Sequence, residues 1–340
     1  MTEVGPFIEA YAKEHGFNGT VLVRKQGKVA YQGSFGLANM SLGVPNTTST
    51  KYRIASITKL FTSVLILQLQ GQGRIDLEGK ITDYLPDYAG EGANKVSIHQ
   101  LLNHTSGIHN FDQVKSMEEA LSGGLPPYQT PYTLDQLLAR FGSGPLDHPP
   151  GTVFDYNNGD YLILGKIVER VYGQPFDQVL QARILRPLGM ADTGLLKQRD
   201  IVHGLASTYF YRDDLKTLVN DLPSYPENWH AAGAMYSTVA DLVTFSDALF
   251  GGRLIKPEAL ERMLTPGLDD YGYGAWVYDA EIDGRKHRIV KRPGQIMGAQ
   301  TQLYHFLGED ITIILLANSG ATDLDEFVAE IGKRVARMRP

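Results

Sequence analysis

Between residues 57 and 69 the sequence is apolar on every face a helix can present: Leu60, Phe61, Val64, Leu65, Ile66, Leu67 and Leu69 leave no polar stripe. A helix of this kind is packed on all sides, so the rest of the chain must fold in layers around it. Gly71 and Gly73 offer the residues that end it. At its entrance stand Ser56 and, three positions later, Lys59, a spacing that puts both side chains on one helical face. A lysine there is poorly solvated and close to the positive end of the helix dipole, and both effects disfavour its charged form. A neutral lysine amine is able to take the proton of a serine that is otherwise too weak a nucleophile. S-x-x-K is a short motif, however, and carries weight only if other segments supply what the pair lacks.

Strand patterns lie at the two ends of the chain and helical patterns in the middle. Residues 7–14 read as a first helix. Residues 20–25 and 29–33, β-branched and aromatic runs around Gln26-Gly27-Lys28, read as a hairpin. Helices follow the central one at 97–102 (with a Ser97 cap), 134–141, 160–172, 176–184, 238–250 and from Pro257. Strands return at 274–278, 286–290, 301–306 and 311–316, and 323–337 is a closing helix. The stretch 209–229 is rich in aromatics without a clear period and reads as an excursion over a cleft. The economical architecture is one α/β domain made from both termini, 1–55 and 255–340, with a mainly helical domain, 56–254, inserted between them and an active site in the cleft where they meet.

At 340 residues the chain is long enough for this division. A formal net charge of −6 and the lack of any lysine-arginine run give no footprint for nucleic acid. The longest apolar stretch is far short of a membrane span. There is no cysteine, which excludes disulfides, thiolate metal sites and a cysteine nucleophile. The first residues, Met-Thr-Glu-Val-Gly-Pro, lack a basic patch followed by an apolar core, so no signal peptide is expected in this chain. Localisation stays open: periplasmic or secreted if a leader has been removed, otherwise cytoplasmic.

Three places are candidates to complete the site. In Phe154-Asp155-Tyr156-Asn157-Asn158-Gly159, Tyr156 is placed to share proton transfer with Lys59, since a nearby cation stabilises phenolate, and Asn158 to anchor Lys59 or a substrate amide. In Lys291-Arg292-Pro293-Gly294-Gln295, a cation precedes a glycine between expected strands. Arg292, Gly294 and Gln295 are therefore candidates for substrate binding, with the Gln295 and Ser56 amides as an oxyanion hole. The third place is the trio His99, His104 and His109. Five residues on a helix turn successive side chains away from each other, and no metal-ligand motif accompanies them, so neither a metal nor a cofactor is expected. His104 is expected to bond backbone in a buried loop. No G-x-S-x-G, G-x-x-x-x-G-K-[ST] or G-x-G-x-x-G occurs, which removes the ordinary α/β-hydrolase and phosphate-cradle readings.

Taken in order, the segments 54–59, 101–108, 154–161, 187–190, 232–238 and the Gly294/Gly298 turn resemble the serine β-lactamase and penicillin-binding-protein-like superfamily. Within it the chain is most similar to the branch of class C β-lactamases, D-stereospecific peptidases and family VIII carboxylesterases. The resemblance implies an α/β (α+β) fold of the β-lactamase/transpeptidase type, with an antiparallel sheet, flanking terminal helices and an inserted all-helical domain. It implies Ser56 as the acylated nucleophile, Lys59 and Tyr156 as the proton-transfer pair, and Asn158 as an orienting group. Arg292-Pro293-Gly294 departs from the family's usual lysine-threonine-glycine or histidine-x-glycine: arginine keeps the charge but does not shuttle protons. The expected function is a serine hydrolase acting through an acyl-enzyme on small esters or D-amino-acid amides or peptides, with weak β-lactam turnover as a side activity. The alternatives are a non-hydrolytic penicillin-binding or sensor protein and, on the histidines, a metalloenzyme.

Overall fold

The computed structural model describes residues 4–112 and 122–338. The expected hairpin forms from β1 (Gly19–Lys25) and β2 (Lys28–Phe35), and both turn residues, Gln26 and Gly27, have positive φ, as a tight twisted hairpin requires. Together with β3 (Trp276–Ile282), β4 (Arg285–Ile296), β5 (Ala299–Phe306) and β6 (Ile311–Ala317) they make one antiparallel sheet in the order β3-β4-β5-β6-β1-β2. Strand β6 is buried at every position, because both faces of the sheet are covered.

Alternation along the strands separates the two faces. Val21, Val23, Ile313, Leu315, Tyr304 and Phe306 point toward the terminal helices α1 (Val4–Glu14) and α5 (Leu324–Arg337), where Tyr11 stacks on Phe327 at 4.3 Å. Leu22, Leu303, Ile314 and Leu316 point the other way, into a larger core shared with the central helix α2 (Thr58–Gly71). There every residue of α2 except Gln68, Gln70 and Gly71 is buried. Of its two glycine stops, Gly73 adopts the left-handed conformation and Arg74 N bonds Leu69 O at 3.0 Å, closing the helix. Helix α3 (Asn158–Tyr172) lies against α2 and ends at left-handed Gly173.

The structure adds detail to three expectations. Strand β4 runs six residues beyond 290, through Arg292, Pro293 and Gly294, which pair with Leu303, Gln302 and Thr301 of β5. On its other side the pairing with β3 stops at Trp276–Lys291, so proline's missing N–H leaves no ladder bond unmade. The stretch at 209–229 holds a hairpin, Tyr209–Arg212 against Thr217–Asn220; four-residue strands are too short to show a period. Helix α4 (Val239–Phe250) packs on the sheet: Ser246 Oγ lies 3.2 Å from Thr312 Oγ1, and Arg24 Nε 3.0 Å from Asp247 Oδ2. We therefore propose that the two-part division holds with its inner boundary ahead of Val239 rather than at 254/255. Residues 113–121 lie outside the described residues.

Candidate active site

Ser56 sits in a tight turn, Ala55–Ile57, that feeds α2. Ala55, just before it, has φ +47°, a left-handed conformation costly for a residue with a Cβ and held here because Ile54 N is tied to Met235 O at 2.9 Å. The turn presses against β4. A Cβ on Gly294 would lie 2.6 Å from Ile54 O and 2.9 Å from Ser56 N, so only glycine permits the approach.

One helical turn on, Lys59 is fully buried, and its Nζ lies 3.3 Å from Ser56 Oγ, 2.6 Å from Asn158 Oδ1 and 3.0 Å from Ala232 O. Burial pushes its pKa down and Arg292 adds to that, while Tyr156 and Asp112 oppose it. Tyr156 arrives from the loop before α3 with its Oη 2.8 Å from Ser56 Oγ. Burial alone would raise the phenol's pKa, but the Arg292 and Lys59 charges outweigh it and bring it down to about 8. Nucleophile, amine and phenol thus meet within hydrogen-bonding distance.

The loop that delivers Tyr156 is fastened from several sides. Asn110 Nδ2 donates to Tyr156 O at 2.8 Å, Asn157 Nδ2 to Ile108 O at 2.8 Å, and Asp155 N to His104 O at 2.9 Å. His104, fully buried at φ +57°, lies with Nδ1 2.9 Å from Asp160 Oδ2 and 3.3 Å from Asn157 N; Ser106 Oγ donates to Asp160 Oδ1 at 2.6 Å. Burial pushes Asp160 well up and His104 well down, which keeps the pair uncharged. The histidine trio disperses: His104 bonds Asp160 and the Asn157 amide, His99 bonds Tyr273 Oη at 2.6 Å, and His109 bonds Asp147 at the surface at 2.8 Å. Among the described residues no group of three or more His, Cys, Asp or Glu is placed to hold a metal.

Arg292 is 2 % exposed. Its Nε donates to Pro293 O at 2.7 Å, Nη1 to Tyr271 Oη at 2.8 Å and Gly274 O at 3.2 Å, and Nη2 to Tyr156 Oη at 3.1 Å. Four of its five N–H groups are thus committed inside the protein. Arg292 lines the cleft, as expected of a substrate-binding candidate, and its bonds also make it the neighbour of Tyr156. Gly294 and the exposed Gln295 follow on the same strand and line the cleft with Ser56 and Asn158. That cleft has a volume of about 1140 Å³, with Tyr128 stacked on Trp229 at 3.8 Å along one wall and the 209–220 hairpin along another.

Sequence reasoning missed Asp112, Tyr271, Trp276 and the Ala232 carbonyl. Trp276 stacks on Tyr156 at 6.0 Å and lies 5.2 Å from the Arg292 guanidinium. None had a local signal, since each acts through a partner tens to hundreds of positions away or through backbone.

The Beta-lactamase family model matches residues 6–336 of the sequence. The chain belongs to the Beta-lactamase family. It is 31 % identical over 198 residues to esterase EstB of Burkholderia gladioli, covering 56 % of this chain and 50 % of the esterase. A penicillin-binding protein from Bacillus halodurans superposes with a TM-score of 0.81 at 27 % identity, covering 96 % of this chain and 98 % of that one. A D-stereospecific amidohydrolase from Streptomyces sp. superposes at 0.79 with 26 % identity, covering 94 % and 96 %. The fold is that of this Beta-lactamase family. The chain spans between 50 % and 70 % of the length of the curated relatives it matches.

Proposed function

We propose that the protein is a serine hydrolase that works through an acyl-enzyme on small esters or D-amino-acid amides and peptides. The observation that carries this is the convergence on Ser56 Oγ of Tyr156 Oη at 2.8 Å and Lys59 Nζ at 3.3 Å at the floor of a cleft. The Ser56 hydroxyl attacks the substrate carbonyl while its proton passes to the Tyr156–Lys59 pair. The Ser56 and Gln295 amides hold the developing oxyanion, a role supported by the contact of β4 with the Ser56 amide at Gly294. The same pair returns the proton to the leaving alcohol or amine, then activates the water that frees the acid. Asn158 holds Lys59 in place, and Arg292 keeps Tyr156 acidic.

The substrate range is supported by the relatives named an esterase and a D-stereospecific amidohydrolase. Arg292, turned toward Tyr156, Tyr271 and Gly274, is poorly available to a β-lactam carboxylate, so penicillin turnover is weak in this reading. Hydrolysis of p-nitrophenyl butyrate and of D-alanine p-nitroanilide tests the assignment. Turnover that vanishes in Ser56→Ala supports it; no turnover of any ester or amide, with a stable adduct instead, supports the non-hydrolytic penicillin-binding alternative.

A further inference from the structure

Lys59 Nζ has one contact with an unusual dependence. Asn158 Oδ1 accepts from it at 2.6 Å, and the same amide's Nδ2 donates to Asp112 Oδ2 at 2.6 Å. Asp112 Oδ2 also accepts from Tyr128 Oη, and Tyr128 is itself clamped against Trp229. Burial keeps Tyr128 a phenol, so it remains a donor, and Asp112 receives two donors on one oxygen. Turning the Asn158 amide over would set its NH2 against the lysine amine and its carbonyl against a carboxylate. The carbonyl–carboxylate contact would then be repulsive, and so would the NH2 against a protonated lysine.

We propose that Asp112 is a positioning residue for Lys59: its carboxylate fixes the Asn158 carbonyl toward the amine. The inference rests on the role given above to Lys59 as proton acceptor for Ser56. The carboxylate's charge acts on the amine as well, and the groups around Lys59 make the sign clear. Arg292 from β4 opposes the ammonium, Tyr156 favours it when ionised, and the rings of Tyr156 and Tyr161 stand 4.7 and 5.4 Å from Nζ. Burial disfavours the charged forms of His104 and Asp160 behind them, and Ala232 contributes only a carbonyl. Among the described residues, Asp112 is the carboxylate whose charge favours the ammonium form of Lys59.

Removing that charge makes the lysine easier to deprotonate, so the acid limb of the pH profile moves to lower pH. The test is kcat/KM against pH for p-nitrophenyl butyrate with wild type, Asp112→Asn and Asp112→Ala, with fluorophosphonate labelling of Ser56 run on a separate sample of each protein. Asp112→Asn, which keeps an acceptor for Asn158, is expected to shift the acid limb down by about half a pH unit. Asp112→Ala, which also releases the amide, is expected to lose about tenfold in kcat with KM little changed. Superimposable acid limbs in wild type and Asp112→Asn, with Ser56 still labelled, overturn the Asp112 assignment alone. Wild type that fails to label at Ser56 overturns the hydrolase reading and this inference with it.

Discussion

Tyr156 is the side chain whose chemistry depends most on its neighbours. Burial by itself would make its phenol less acidic, and two cations reverse that outcome. The guanidinium of Arg292 is the largest single contribution to the reversal, and it has no proton to give or take at any ordinary pH. Replacing it with a neutral side chain, Arg292→Gln, removes positive charge from beside the phenolate and raises the phenol's pKa. The rising limb of kcat/KM, which reports the interacting Tyr156–Lys59 pair and is expected near pH 8 in wild type, then moves to higher pH by about one unit, and activity at pH 7 falls by about tenfold. A pH–rate series on the purified variant checks both the direction and the size. Ser56, Lys59, Tyr156 and Asn158 were legible because each stands in a short pattern with a local geometric consequence. Asp112 and Tyr271 were not, because a lone aspartate or tyrosine has no meaning until the fold brings it to Asn158 or Arg292.

Strand β4 carries the least legible element boundary. Pro293 and Gly294 punctuate the sequence as a turn would, so the sequence pattern ends the strand before them. Proline is tolerated because β3 stops opposite Lys291, and glycine is required because the Ile54–Ser56 turn crosses directly over it. A larger residue there meets backbone atoms that have nowhere to move. Gly294→Val is expected to force the strand away from the Ser56 turn, abolish measurable ester hydrolysis and cost about 1–3 kcal/mol in urea unfolding. The same substitution at exposed Gly71, whose added Cβ meets nothing within 4 Å, serves as the comparison and keeps the site intact. The helices, by contrast, were readable from periodicity and caps. Thr238 accepts from Asp241 N at the start of α4, and Ser97 from Gln100 N, each at the position its residue type favours.

On the scale of the molecule, the sheet and the helical layer share one core. Phe61 of α2 stacks on Phe245 of α4 at 3.7 Å, both fully buried, and the same cluster reaches Leu303 and Ile314 in the sheet. Phe245→Ala should therefore destabilise the whole protein by about 3–5 kcal/mol. Far-UV circular dichroism and the fluorescence of Trp229 and Trp276 should report one shared, lowered transition; separate transitions would show that the layers unfold apart. The terminal origin of the sheet strands was legible from the pattern of the two chain ends. That α4 belongs with the sheet was not, because a helix's partner is decided by packing that periodicity does not encode.

The most direct test of the account is intact-mass and peptide mass spectrometry after brief exposure to a fluorophosphonate or a slow ester substrate. The account predicts a single stoichiometric adduct on the peptide bearing Ser56, formed faster as pH rises toward 8 and absent from Ser56→Ala. An adduct on any other residue, or the same labelling in Ser56→Ala, would contradict it.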